Sequence, residues 1–243
     1  MRTYATAQLI GDRTHQCDAT AVHTAPSGAR AYVLLDGIGS TDEIRDWTRN
    51  AARRLARTAA RHGDAEAGLR ALYARYAAEP DRQGPWARMP EACAVVAVTA
   101  PGRPLTIAWC GDTRAYVLVR GTVQRLTDDH NLRRVFPARD GRPGGNRNII
   151  TSCLGSTYTE DQVKNEYGHP AIETVTRGAE DCRLLLASDG AYEPLEDSCR
   201  DLADYLIGDP AEAARDFVRS AIDHAGTRAD NATVLIADLR PAN

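Results

Sequence analysis

The feature that most restricts this chain is a repeated one: apolar runs of strand length that end in a carboxylate beside a glycine. Leu34-Leu35-Asp36-Gly37, Trp109-Cys110-Gly111-Asp112 and Ala187-Ser188-Asp189-Gly190 share it. Asp230-Asn231 opens a last apolar run, and Asp18 precedes the run Ala19–Thr24. Asp and Gly are turn residues, so each pair taken singly describes a turn after a strand. Taken together, they put several carboxylates on one edge if the strands share a sheet. Clustered carboxylates repel one another and need a cation. Oxygen donors without a His or Cys cluster select Mg2+ or Mn2+ over zinc. Paired ions of this kind suit phosphate-ester hydrolysis, because they hold a hydroxide and clamp a phosphoryl oxygen.

The surrounding pattern predicts an α+β fold. Strand-like runs are Ala19–Thr24, Ala29–Leu35, Ala92–Thr99, Leu105–Cys110, Arg114–Val119, Thr122–Leu126, Ile149–Thr151, Ile172–Thr176, Cys182–Ala187 and Ala232–Leu239. Arg120-Gly121 reads as a hairpin tip. Ile44, Trp47, Ala51, Leu55 and Ala59 recur at the spacing of one helix face, and Ser40 with Glu43 reads as its capping box. A second helix runs from about Ala65 to Ala78, with Leu69, Leu72, Tyr73 and Tyr76 on one face. Asp209 followed by Pro210 starts another, whose inner face is Ala214, Phe217, Val218, Ala221 and Ile222. Glu79 to Pro90 is a loop. Residues 131–148, with Pro137, Asp140-Gly141, Pro143 and Gly144-Gly145, form a short, mobile, flap-like excursion rather than a domain linker. Strands outnumber helices and the helices fall into two groups. The expectation is one domain, 1–243, with a mostly antiparallel β core and helices outside.

Composition removes other classes. The 30 basic and 33 acidic residues give a net charge of −3, no footprint for nucleic acid or an anionic membrane. No apolar run approaches the ~20 residues of a membrane span, and Met1-Arg2-Thr3-Tyr4 carries no signal-peptide core. The chain is therefore expected in the cytoplasm. Its six cysteines form no C-x-x-C pair, and Cys93, Cys110 and Cys182 read as small buried hydrophobes. His15 and His130 read as hydrogen-bonding side chains rather than acid–base catalysts. Of the basic residues only Lys164 is a lysine.

Six boxes in order carry a resemblance. They are Asp36-Gly37-Ile38-Gly39, Gly111-Asp112-Thr113-Arg114-Ala115-Tyr116 and Leu126-Thr127-Asp128-Asp129-His130-Asn131-Leu132. Asn148-Ile149-Ile150-Thr151-Ser152-Cys153-Leu154-Gly155, Ser188-Asp189-Gly190 and Asp230-Asn231-Ala232-Thr233-Val234 complete the series. From about Arg13 to Leu239 the chain resembles the metal-dependent protein phosphatases (PPM, type 2C serine/threonine phosphatases) in their short bacterial form. The resemblance implies a four-layer α-β-β-α sandwich of two mostly antiparallel sheets flanked by helix pairs. It implies hydrolysis of phosphoserine or phosphothreonine by attack of a metal-bridging hydroxide, with two Mg2+ or Mn2+ ions in the core site and a third beside them. Asp36 would bridge the metals and the Gly37 carbonyl would bind the second. Asp189 and Asp230 would hold the first, and Asp112 with Asp189 the third. Asp18 would orient metal-bound water, and Arg13 would grip the substrate phosphate. The implied partner is a phosphorylated protein, the target of a serine/threonine kinase, met by a monomeric signalling enzyme.

The chain departs from that pattern at several places. Cys17 stands where relatives carry an acid or Gln and offers no hard oxygen; a thiol beside cations also invites oxidation. Ile38 stands where eukaryotic relatives place a histidine acid, so bound water would have to protonate the leaving alkoxide. Ser40 replaces a glycine, Glu91-Ala92-Cys93-Ala94 replaces a Gly/Thr-rich stretch, and the excursion is short. These changes motivate an alternative, a catalytically weak regulatory module that binds a phosphoprotein or partner. An aspartyl-phosphate hydrolase needs D-x-D where Ile38 stands, and no G-x-x-x-x-G-K-[ST] loop is present.

Overall fold

Strands that are apolar at nearly every position need cover on both faces, and the chain supplies it in four layers. The computed structural model describes residues 3–84, 89–139, 141–178 and 181–239. The start Met1-Arg2, residues 85–88 of the expected loop and Asp140 of the expected turn lie outside them. In chain order the elements are β1 (Tyr4–Leu9), β2 (Ala19–Thr24), β3 (Arg30–Gly37), α1 (Asp42–His62), α2 (Ala65–Ala77), β4 (Ala92–Thr99), β5 (Leu105–Cys110) and β6 (Arg114–Val119). They continue with β7 (Thr122–Arg125), α3 (Leu132–Val135), α4 (Glu160–Tyr167), β8 (Glu173–Arg177), β9 (Cys182–Ala187), α5 (Asp189–Asp197), α6 (Pro210–His224) and β10 (Ala232–Leu239).

One sheet has the order β2-β3-β4-β5-β8 and the other β1-β10-β9-β6-β7, with antiparallel neighbours throughout. Successive strand residues point to opposite faces, which sorts the core into three slabs. Tyr32, Leu34, Val95 and Ile107 meet Val117, Leu184, Leu186 and Leu235 between the sheets. Val33, Leu35 and Val96 face outward onto Leu55, Leu69 and Tyr76 of α1 and α2. Leu185, Val234 and Ile236 face Tyr192, Leu195 and Phe217 of α5 and α6 on the far side. This is the expected α+β sandwich.

Several local expectations shift. The first helix is capped by Thr41, whose side chain accepts from the Ile44 N–H, not by Ser40. The Ser40 hydroxyl is taken up by the His15 N–H (3.1 Å) and Thr14 (2.9 Å). Ile149–Thr151 is no strand; it contributes one isolated bridge, Asn131 to Ile150. The half-exposed edge strand β1 carried too little apolar patterning to be read. Ser188-Asp189-Gly190 is the start of helix α5, not a plain turn. At the hairpin tip both Arg120 (φ 50°) and Gly121 (φ 82°) are left-handed, as a primed turn demands. The excursion is hydrogen-bonded within itself, Arg133 Nε to the Gly145 carbonyl (2.7 Å) and Gly145 N–H to the Phe136 carbonyl (2.7 Å). Arg147 ties it to Asp197 and Glu193 of α5.

Removing the observed cap should cost what a helix N-cap is worth. Thr41→Ala is expected to lower unfolding free energy by about 1 kcal/mol, with Thr41→Ser restoring most of it, by urea denaturation.

Candidate active site

Strand register brings the carboxylates to one end of the sandwich. Asp36, at the end of β3, pairs with Cys93 near the start of β4, and Ala94 of β4 pairs with Cys110 at the end of β5. The Gly111-Asp112 turn then carries the chain into β6 of the other sheet. There Arg114 and Val234 both lie in register with Ala187, the last residue of β9. Asp189 and Asp230 therefore emerge beside each other, facing Asp36 and Asp112. The contributing strands lie in two sheets, and the carboxylates converge because the stacked sheets end together.

The result is a pocket of about 160 Å³ lined by Arg13, Asp36, Gly37, Asp112, Asp189 and Asp230. Ile38, Gly39, Cys93, Asn148 and Ile150 complete its wall. Sequence reading gave none of the last three a site role. Cys93 is recognisable only once the β3–β4 register is known, because two helices separate those strands. A side chain at Gly37 would lie 2.7 Å from the Cys17 carbonyl and from Thr48 Oγ1, so glycine is required where β3 reaches the pocket.

Electrostatically the pocket is crowded. Burial, then the charges of Asp18, Asp189, Asp112 and Asp230, holds the Asp36 carboxyl well above its usual range. Asp112 is raised by burial and by Asp189, and Asp189 by burial and by Asp230. Burial pushes Asp18 up to about 7 against the hydrogen bonds that favour its charge. Asp36 lies close enough to Asp18 and Asp189 to act on the titration of both. Arg13 supplies positive charge by pairing with Asp230.

The expected ions can be tested against this geometry. Among the described residues, no group of three or more His, Cys, Asp or Glu is set to hold a metal ion as the side chains stand. Chemically the donors fit: the pocket offers carboxylate oxygens whose mutual repulsion a hard cation would relieve. Asp18, behind the pocket, keeps a buried Oδ1 without a hydrogen-bond partner. Its Oδ2 accepts from the Ser188 hydroxyl (3.0 Å), which in turn accepts from the Thr233 N–H (3.0 Å). Ser188 thus serves Asp18 instead of capping its own helix.

Motif residues outside the pocket hold its walls. Asn231 accepts from the Cys17 N–H (2.7 Å) and donates to the Ile10 carbonyl (2.9 Å), tying the Asp18 and Asp230 segments together. Tyr192 donates to the Asp112 carbonyl (2.9 Å). Arg114 forks onto Asp129 (2.7 Å at both nitrogens), reaches Glu196 (2.7 Å) and lies 3.8 Å from the Tyr192 ring centre. His130 is fully buried, bonded to Glu173 (3.0 Å) and stacked on His169, which is scaffolding rather than acid–base chemistry. His15 pairs with Thr14 (3.0 Å). Cys17 is buried with its thiol toward the Thr41 carbonyl (3.7 Å) and is not part of the pocket lining. Burial raises its pKa, which does not favour the thiolate form. Cys93 and Cys110 are buried as expected, and Cys182 is half-buried.

No protein-family model matches the chain. Over 148 residues it is 30% identical to "Protein phosphatase 2C homolog 1" of Saccharomyces cerevisiae, covering 56% of this chain and 50% of that protein. The chain spans about half the length of the curated relatives it matches. A solved S. agalactiae serine/threonine phosphatase superposes with a TM-score of 0.75 at 18% identity, covering 98% of this chain and 99% of that one. The Mycobacterium tuberculosis serine/threonine phosphatase PstP/Ppp gives 0.63 at 24% identity, with 98% of each chain covered. The chain is thus similar in sequence to protein phosphatase 2C proteins and shares the fold of bacterial PPM phosphatases, as its six boxes led one to expect.

The raised carboxyls make a signed prediction for metal-free protein. Above the ordinary carboxylate range the folded chain retains protons that the unfolded chain has released, so stability falls as pH rises. Buried His130 and His169, whose pKa values are lowered by burial, act in the opposite sense below about pH 6.5. Urea midpoints in EDTA are therefore expected to fall from pH 6.5 to 8, and to fall less in Asp36→Asn.

Proposed function

We propose that the chain is a metal-dependent phosphoprotein phosphatase acting on phosphoserine or phosphothreonine. The observation that carries this reading is the convergence of Asp36, Asp112, Asp189 and Asp230 with Arg13 on one small pocket. Asp36 with Gly37, Asp189 and Asp230 would hold two Mg2+ or Mn2+ ions, and Asp112 with Asp189 a third. Bound there, such ions supply a strong nucleophile at neutral pH and neutralise charge on phosphoryl oxygens.

The chain's own residues have separable tasks in this reading. Arg13 stands at the pocket mouth with 47% of its side chain exposed, and its fork matches two phosphoryl oxygens. Asp18, with Oδ2 fixed by Ser188, has Oδ1 left to accept a hydrogen bond from the attacking water and orient it. Ile38 offers no proton at the rim, so the leaving alkoxide takes its proton from water. A pocket of about 160 Å³ lies below the ~300–1,000 Å³ of small-molecule sites. It suits a phosphoryl group carried on a larger chain better than a whole nucleotide. The regulatory-module alternative gains nothing from Cys17, whose thiol is packed away from the pocket.

Among the described residues no helix is long and apolar enough to cross a membrane. We place the activity in the cytoplasm, in a monomer folded as one domain over 1–243, acting on targets of a serine/threonine kinase.

Hydrolysis of a phosphothreonine peptide is expected with Mn2+ or Mg2+ and not with EDTA. Asp36→Asn and Asp189→Asn are expected to lose about a hundredfold or more in kcat. A folded parent protein without turnover in any metal would move the reading to the binding module. Arg13→Ala is expected to lower kcat/KM by about ten- to a hundredfold, the worth of charge-assisted hydrogen bonds to phosphate.

A further inference from the structure

A second concave site lies on the outer helical layer, away from the carboxylates. Arg54, Arg57 and Arg61 of α1 and Arg75 of α2 line a cleft of about 230 Å³, floored by Thr58, Ala71 and Leu72. No carboxylate lines it. Two other arginines of these helices are neutralised: Arg45 pairs with Asp42 and Asp46, and Arg70 with Glu66 and Glu160. Among the described residues, no ion pair joins any of the four cleft arginines to a carboxylate. Glu79 and Asp81 line a neighbouring pocket that shares only Arg54 with the cleft.

This arrangement works against the helix that carries it. Arg54, Arg57 and Arg61 repeat at three- and four-residue spacing, where like charges destabilise a helix by a few tenths of a kcal/mol per pair. An anion in the cleft reverses the sign of that interaction. Guanidinium forks match phosphoryl oxygens in pairs, and clustered arginines are a recurring mode of phosphate recognition. The cleft is too small for a drug-sized ligand and large enough for a tetrahedral head group.

We infer that the Arg54–Arg57–Arg61–Arg75 cleft is a binding site for a phosphoryl dianion, separate from the catalytic pocket. Ile44, whose side chain abuts Gly37 at the pocket, precedes Arg57 by thirteen residues of α1, about 20 Å of helix. An extended peptide needs about six residues to cover that distance. The source of the phosphoryl group is either the free anion or a phosphorylated side chain, and one experiment separates them.

The full chain in EDTA is titrated calorimetrically with inorganic phosphate, a phosphothreonine peptide and the same peptide unphosphorylated. Metal-free conditions prevent turnover, and the Arg13→Ala arm reports any binding at the catalytic pocket, so the result does not depend on the phosphatase reading. The Arg57→Ala/Arg61→Ala variant is expected to bind inorganic phosphate at least tenfold more weakly. Arg13→Ala should stay within twofold of the parent. Ala is favoured at exposed helix positions, so the variant should fold with an unchanged or slightly higher Tm in phosphate-free buffer. Matching losses for the phosphopeptide, with none bound when unphosphorylated, assign the site to phosphorylated chains; loss for inorganic phosphate alone assigns it to the free anion. No phosphate binding by the parent, unchanged affinity in the cleft variant, or loss in Arg13→Ala instead would overturn the inference.

Discussion

Everything at the working end of this protein depends on one unfavourable interaction, the mutual repulsion of carboxylates held at the end of a dry β sandwich. Asp18 and Asp112 are buried, and Asp36 feels the charge of four neighbouring aspartates. A flexible surface would let them separate. Here each is fixed by a strand end or helix start whose position is set by the apolar slabs on either side of it. The core therefore imposes the repulsion, and the pairing of Arg13 with Asp230 relieves part of it.

The fold spends several hydrogen bonds on keeping that arrangement rigid. Ser188 gives up its role as helix cap to hold Asp18, Asn231 joins the segments bearing Asp18 and Asp230, and Tyr192 fixes the Asp112 backbone. The Arg114 fork on Asp129 does the same for the β5–β6 crossing. Arg114, Asp129 and His130 belong to sequence boxes that look catalytic by association. In three dimensions they position the turn that carries Asp112 and do not enter the pocket.

Much of this was legible in the chain. Apolar runs ending in Asp and Gly located β3, β5 and β9 and the carboxylates at their ends, because burial on both faces leaves an uninterrupted apolar signal. Asp209-Pro210 located α6 for the same kind of local reason, a side chain accepting from Ala211 and Glu212. What stayed hidden needed pairing across distance. The division of the strands between two sheets, the register placing Cys93 beside Asp36, and the docking of Ile150 and Asn148 at the pocket have no local signature. Cys17 misled in the other direction: its place in the order of residues suggested the site, while its packing turns the thiol toward Thr41.

Proton release on metal binding tests directly whether divalent cations replace protons within this carboxylate cluster. Mn2+ is titrated into the metal-free protein at pH 7 in buffers of differing ionisation enthalpy, and the dependence of the observed heat on buffer gives the protons released. Net release is expected, and less of it in Asp36→Asn. Mn2+ binding with no proton release, or release unchanged by that substitution, would contradict it.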